Sequence, residues 1–186
     1  QYTSIIQSET ERLSTLTKQL LLLTSLDQLK TPLKKVEFQL DEQIREVVRN
    51  YQWQVVSKEL SLDSELEEIM YYGDPSFLEK VWDNLVSNAV KYTKEGSISI
   101  TLRQERNEVV FEIKDSGIGI AEEHLPRLFE RFYRADASRN KDIEGTGLGL
   151  SIVQQVLSLH DGSIEVESEE GKGTLIRVRL QQILKG

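Results

Sequence analysis

The stretch "EGTGLGLSIVQQVLSLH", residues 144–160, sets three glycines on alternate positions, Gly145, Gly147 and Gly149, at the threshold of an amphipathic segment. Glycine weakens a helix and leaves its backbone open, so the pattern predicts close approach of another group to that backbone. A helix N-terminus presents unpaired N–H groups and a partial positive charge, and the fitting guest is an anion, phosphate above all. The helix is expected over about residues 148–160.

Outward from this point the chain alternates between strands and helices. "VEFQL" reads as a strand, "DEQIREVVRNYQWQVV" as one helix with an acidic start, and "ELSLDSEL" and "IMYY" as strands. "DPSFLEKVWDNLVSNAVKY" opens on Asp-Pro, a helix start, and repeats apolar residues at helical spacing through Phe77, Val81, Leu85 and Ala89. "SISITLRQERNEVVFEIKDSG" gives two strands about a short "RN" turn, and "SIEVES" with "TLIRVRL" gives a hairpin across "EEGKG". Mixed elements with hairpin-joined strands predict a two-layer α/β sandwich rather than a doubly wound parallel sheet.

Residues 1 to about 30 differ from the rest: they contain neither Gly nor Pro. Ile6, Leu13, Leu16, Leu20 and Leu23 form one narrow apolar seam, as in a helical bundle or dimer; an ordinary helix packed on its own domain is the alternative. Pro32 in "KTPLKK" ends the helix and begins a linker. The whole chain has no cysteine, which removes disulfides and thiolate zinc sites, and two histidines, too few for a histidine metal cluster. Its net charge of −8 argues against a nucleic-acid surface. "LLLL" at 20–23 is far shorter than the ~20 residues of a membrane span.

Three patterns carry chemistry. Asn84 and Asn88 stand one turn apart, with Lys91 and Tyr92 a turn further along the same face; an amide oxygen suits a hard metal ion, and Lys and Tyr suit phosphate oxygens. In "KDSGIGI", Asp115 ends a strand and can accept from an exocyclic amine such as adenine N6, while Gly117 and Gly119 let the chain turn beside a flat ligand. The third pattern is G-x-G-x-G at 145–149, which is neither the dinucleotide fingerprint nor a Walker loop.

The order of these motifs between residues 84 and 150, with "LFERFYR" before the last, resembles the catalytic ATP-binding domain of sensor histidine kinases, in the GHKL or Bergerat-fold superfamily. The resemblance covers about residues 36–182. It implies a mixed, mostly antiparallel sheet with three main helices at 37–186, a linker at 32–36, and at 1–31 the second helix of a dimerisation and phosphotransfer bundle. It also implies ATP and Mg²⁺ as ligands, with Asn84 and Asn88 forming the asparagine box, Asn88 on the metal, and Lys91 and Tyr92 near the phosphates. Asp115 would read the adenine amine, Gly117, Gly119 and Ile120 would shape its surroundings, and Thr174 would offer a hydroxyl to the base through water. Phe129 and Phe132 would anchor a lid at about 131–146; its Tyr133, Arg134, Gly145 and Thr146, and Gly147, Leu148 and Gly149 at the helix N-terminus beyond it, would reach the nucleotide. Asn84, Arg134 and Lys141 would serve the transfer itself.

The implied partners are a phosphoacceptor histidine on another helix of the same kinase and a response regulator. The implied setting is a cytoplasmic domain of a membrane-anchored sensor, homodimeric at full length, with the state of this stretch alone left open. "KTPLKK" has Thr-Pro but no preceding histidine, so the chain is expected to be the ATP-binding half of a kinase. "HD" at 160–161 imitates an acceptor dipeptide, yet it ends the glycine-opened helix, and His124 is read as a surface residue before the lid. Two alternatives remain: an ATPase of the same superfamily, disfavoured because position 84 holds Asn where a general base is needed, and a non-catalytic ATP-sensing module.

Overall fold

The structure, a computed structural model, describes residues 2–27, 32–135 and 145–182. A long helix, α1 (Tyr2–Asp27), precedes β1 (Val36–Gln39), α2 (Leu40–Asn50), α3 (Gln52–Ser57), β2 (Ser61–Leu66), β3 (Met70–Gly73) and α4 (Pro75–Tyr92). Then come β4 (Ser97–Glu105), β5 (Glu108–Asp115), a short 3₁₀ helix (Glu122–Arg127), α5 (Gly149–Leu159), β6 (Ser163–Glu169) and β7 (Gly173–Gln181).

Five strands form the main sheet in the order β2-β4-β5-β7-β6. Its β2–β4 pairing is parallel and the other three are antiparallel. The mixed two-layer sandwich expected from the sequence is therefore the observed fold. β1 lies outside the main sheet and pairs with β3 in a separate two-stranded ribbon.

Alternation along the strands divides the sheet into two faces. Ile98, Ile100 and Leu102 of β4, Phe111 and Ile113 of β5, and Val178 and Leu180 of β7 are buried in the core shared with α2, α4 and α5. On the other face Arg103 and Arg177 both bind Glu112, at 2.8 and 2.5 Å. These guanidiniums, Arg103 first, push the Glu112 carboxyl down to about 2. Arg103 and Arg179 flank Val110 in register, and Val110 is fully buried. Arginine stems thus cover an apolar residue on a face otherwise given to charge.

α4 is the central helix. Asp74 caps it, accepting from the N–H groups of Ser76 and Phe77, and Pro75 fills the first turn where no N–H is needed. Trp82 is completely buried and stacks at a tilt on Phe111, 4.8 Å between ring centroids; its indole N–H donates to Gln43 of α2. The expected single helix over 41–56 is broken at Tyr51, which separates α2 from α3. Its hydroxyl instead donates to Asp83 of α4 at 2.7 Å.

The apolar seam expected on α1 splits between two faces. Leu23 is buried and Leu16 packs against the core, together with Leu22 and Leu26, whereas Ile6, Leu13 and Leu20 are exposed. The helix therefore rests on its own domain and still presents a second apolar stripe. Among the described residues no helix is long and apolar enough to cross a membrane.

His160, only 3% exposed, ties α5 to the start of α4. Its Nε2 accepts from the Asp74 N–H at 3.0 Å, so Nδ1 carries the proton and donates to the Val156 carbonyl at 2.9 Å. Burial lowers its pKa below the ordinary 6.5. The unfolded chain then takes up the proton first, so the contribution is complete above about pH 6.5 and is lost as pH falls through the folded-state pKa. Urea midpoints measured between pH 7.5 and 5 should decline for the wild type. In His160→Gln the decline over that window should be smaller, and parallel profiles would remove His160 as its source.

Candidate functional site

A cavity of about 470 Å³ opens between α4, the end of β5 and the N-terminus of α5. α4 and α5 are tied at the Asp74–His160 end, and α5 begins beside Asn84, so the last turns of α4 extend past it along the cavity. Asn84, Asn88, Lys91 and Tyr92 of α4 all lie on the wall, as their spacing requires. Lys58 fixes this end of α4, its ammonium donating to the carbonyls of Val90 at 2.6 Å and Thr93 at 3.2 Å. A cation there also favours the helix C-terminus.

Asp115 reaches the cavity from the tip of β5. The Gly117 N–H donates to its Oδ1 at 2.8 Å, and Thr174, its partner across the sheet, also donates through the backbone. Burial outweighs these donors and raises the carboxyl pKa. Gly119, Ile120 and Thr174 are on the wall beside it, and the Thr174 hydroxyl lies 2.9 Å from Ser168. Gly117 is not on the wall. A Cβ there would lie 2.5 Å from the Tyr92 carbonyl oxygen, so this glycine lets the β5 loop pack on the end of α4.

Tyr133, Arg134, Gly145, Thr146, Gly147 and Gly149 close the cavity from the α5 side. Each of the three alternate glycines makes room for a group of the chain itself. A Cβ would lie 2.7 Å from Lys91 Nζ at Gly145, 2.7 Å from the Phe132 backbone at Gly147, and 2.6 Å from Asn84 Oδ1 at Gly149. Gly147 also has φ +74, which favours glycine. Arg134 donates to the Gly145 carbonyl at 3.1 Å, so Lys91 and Arg134 meet at one edge. α5 has no side-chain cap, in contrast to α4, and its first-turn N–H groups begin at that edge.

Several expectations are corrected. Leu148 is wholly buried in the core rather than on the wall, because it is the residue that anchors the start of α5. Phe129 is half-buried away from the cavity. Phe132 anchors through its backbone, N–H to the Gly147 carbonyl at 2.9 Å, while its ring is 58% exposed. His124 is not a plain surface residue: it lines the cavity with its Nδ1 2.5 Å from the Tyr133 hydroxyl. The Arg127 guanidinium covers the other side of that tyrosine, 4.2 Å from the ring centroid. Lys141 lies outside the described residues.

The sequence reading missed Ser87, Ile113, Ile176 and Glu170, and from α1 Thr15 and Gln19. The two isoleucines were readable only as core by their alternation. Thr15 and Gln19 share a helix face but carry no motif, and only the packing of α1 on α5 brings them here.

The family model described as "Histidine kinase-, DNA gyrase B-, and HSP90-like ATPase" matches residues 73–183. The chain belongs to this ATPase family. Among relatives, the heme sensor protein HssS of Staphylococcus saprophyticus is 35% identical over 186 residues, covering 100% of this chain and 40% of that protein. The sensor histidine kinase YclK of Bacillus subtilis is 35% identical over 179 residues, covering 95% of this chain and 38% of its own length. The chain thus spans about two fifths of the curated relatives it matches. Among solved structures, histidine kinase ThkA in complex with the response regulator TrrA is 28% identical with a TM-score of 0.76, over 97% of this chain and 50% of that one. The family match includes the asparagine pair on α4, Asp115 and the glycines before α5.

Gly147 and Gly171 separate two demands on glycine. Both have positive φ, but a Cβ at Gly171 meets nothing within 4 Å. Gly171→Ala should cost about 1 kcal/mol for its backbone alone, and Gly147→Ala about 2–3 kcal/mol because the Phe132 backbone must also move. Chemical denaturation of both variants gives the difference. Equal losses would mean that Phe132 yields freely.

Proposed function

We propose that this chain is the ATP-binding catalytic part of a sensor histidine kinase. It delivers the γ-phosphoryl of ATP to a histidine on a bundle helix of the same kinase, for relay to a response-regulator aspartate. In this reading residues 1–31 belong to the bundle, 32–36 link it, and 37–186 bind ATP. The bundle is shared between two copies of the kinase, and the domain works on the cytoplasmic side of the membrane.

One observation carries the reading: the cavity wall combines a carboxylate acceptor with a cationic edge at the start of a helix. Asp115 offers a half-buried acceptor on one part of the wall; elsewhere on it Lys91 and Arg134 bring positive charge, beside the start of α5, which has no side-chain cap. A nucleotide matches that combination, with its adenine amine on Asp115 and its phosphates against α5. Tyr92, Gly119, Ile120, Tyr133 and Thr174 bound the base and sugar, while Gly145, Thr146, Gly147 and Gly149 bound the phosphates. Asn84 and Asn88 share the same wall.

No cluster of three acidic or histidine side chains among the described residues fits a metal ion. Mg²⁺ commonly takes one or two protein oxygens and fills its shell from phosphates and water, and the Asn88 amide oxygen suits that role. Bound there, the ion would draw charge from the phosphate oxygens. Lys91 neutralises charge on the phosphate chain, and Arg134 stabilises charge that develops on the transferring group, with Lys141 in the same role. Asn84, held by its own N–H bond to the Lys80 carbonyl at 2.7 Å, keeps its oxygen toward Gly149 and the α5 edge.

Transfer is favoured over hydrolysis by the wall of α4. The α4 carboxylate adjacent to the pair in sequence, Asp83, is off the wall and engaged by Tyr51, so α4 supplies no base for an attacking water.

Two measurements test this reading. Guanine has a carbonyl where adenine has its amine, so GTP should displace a fluorescent ATP analogue at least ~100-fold more weakly than ATP does. Near-equal displacement would remove Asp115 from base recognition. With γ-labelled ATP, these 186 residues should form no acid-labile phosphohistidine. Both His160 ring nitrogens are engaged, and His124 is bound to Tyr133 through Nδ1 with Nε2 3.6 Å from Glu123. Adding a bundle that carries an acceptor histidine should give labelling of that added piece, and stoichiometric label on His124 or His160 would overturn the assignment.

A further inference from the structure

Besides packing its leucines on the core, α1 makes two polar contacts with residues that flank 136–144. Asp27 accepts from Arg131 at 2.7 and 2.8 Å, and Gln19 accepts from the Thr146 hydroxyl at 2.5 Å. The ion pair is solvent-exposed, and such pairs contribute little. The Gln19 contact is different, because Gln19 is half-buried and is itself part of the cavity wall.

The bond fixes how the amide of Gln19 is presented. The Thr146 oxygen receives the Leu148 N–H at 3.4 Å and gives its proton to Gln19 Oε1. That leaves the Gln19 NH₂ group with two donors and no hydrogen-bond partner among the described residues. Next to Thr146 stands Gly145, whose Cα sits against Lys91 Nζ and whose carbonyl receives Arg134. The spare donors therefore belong to the edge of the cavity where Lys91 and Arg134 converge.

We propose that Gln19 is a nucleotide-binding residue supplied by α1, its amide donating to the terminal phosphate of a triphosphate. This rests on the ATP reading of the cavity. A diphosphate ends one phosphoryl group short and leaves the donors unused. Gln19 therefore sets a preference for ATP over ADP, and by linkage ATP holds α1 on the domain more firmly than ADP does.

The substitution that separates this role from a merely structural one is Gln19→Glu. A carboxylate still accepts from Thr146 and keeps that contact, but it offers no donor and adds negative charge beside the phosphates. Calorimetric titration of the 186-residue chain with ADP and with a non-hydrolysable ATP analogue, both with Mg²⁺, gives the ratio of the two affinities. Gln19→Glu should lower affinity for the triphosphate about tenfold or more and change that for ADP less than about threefold. Gln19→Ala should shift the ratio in the same direction by a smaller factor. An unchanged ratio in Gln19→Glu, whether both affinities hold or both fall together, would overturn the role of Gln19 alone. Failure of the unsubstituted chain to bind either nucleotide would instead overturn the ATP reading, and this proposal with it.

Discussion

The hydrogen bond from the Asp74 N–H to His160 pins the start of α4 to the end of α5, and the remaining architecture follows from that joint. α5 is shorter than α4 and begins beside Asn84, so the last turns of α4 are left uncovered by it. Leu85 and Ile152 are both buried in the core, and the cavity wall on α4 begins at Asn84. Asp74 also accepts from the Lys34 N–H at 2.8 Å, so the segment following α1 is fastened at the same joint. One buried aspartate therefore caps α4, fixes α5 and sets where the N-terminal segment enters the domain.

Elements with strong local signals were legible in the sequence. Asp74-Pro75 marked the start of α4 to the residue, and the alternation of Ile98, Ile100 and Leu102 marked the inner face of β4. The spacing of Asn84, Asn88, Lys91 and Tyr92 placed all four on one wall, because a helix allows no other arrangement of those positions. Glycine was harder to read. Its presence announces a close approach but not the partner, and the groups pressing on Gly117, Gly147 and Gly149 belong to α4 and to the Phe132 backbone.

What could not be read depends on packing between distant segments. Tyr51 continues a helical pattern, and only the reach of its hydroxyl to Asp83 accounts for its position at a break. His124 gave no sign of its pairing with Tyr133, nine residues on, because neither belongs to a periodic element. The leucines of α1 were assigned to one seam because heptad spacing serves a bundle and a domain surface equally well. Contact with α5 distinguishes Leu16 and Leu23 from Leu13 and Leu20.

The start of α5 carries a further consequence. Leu148 stands where a serine or aspartate would normally satisfy the first N–H groups, so this helix folds without the ~1 kcal/mol that a cap contributes. Among the described residues no side chain takes that place, and a bound anion or water can satisfy those N–H groups. Any anion held there acts as a removable cap, completing the helix when it arrives and leaving it frayed when it departs. The stability of the glycine-rich edge is then a readout of occupancy, and heat or protease resistance would report the ligand state of the domain without any change of fold.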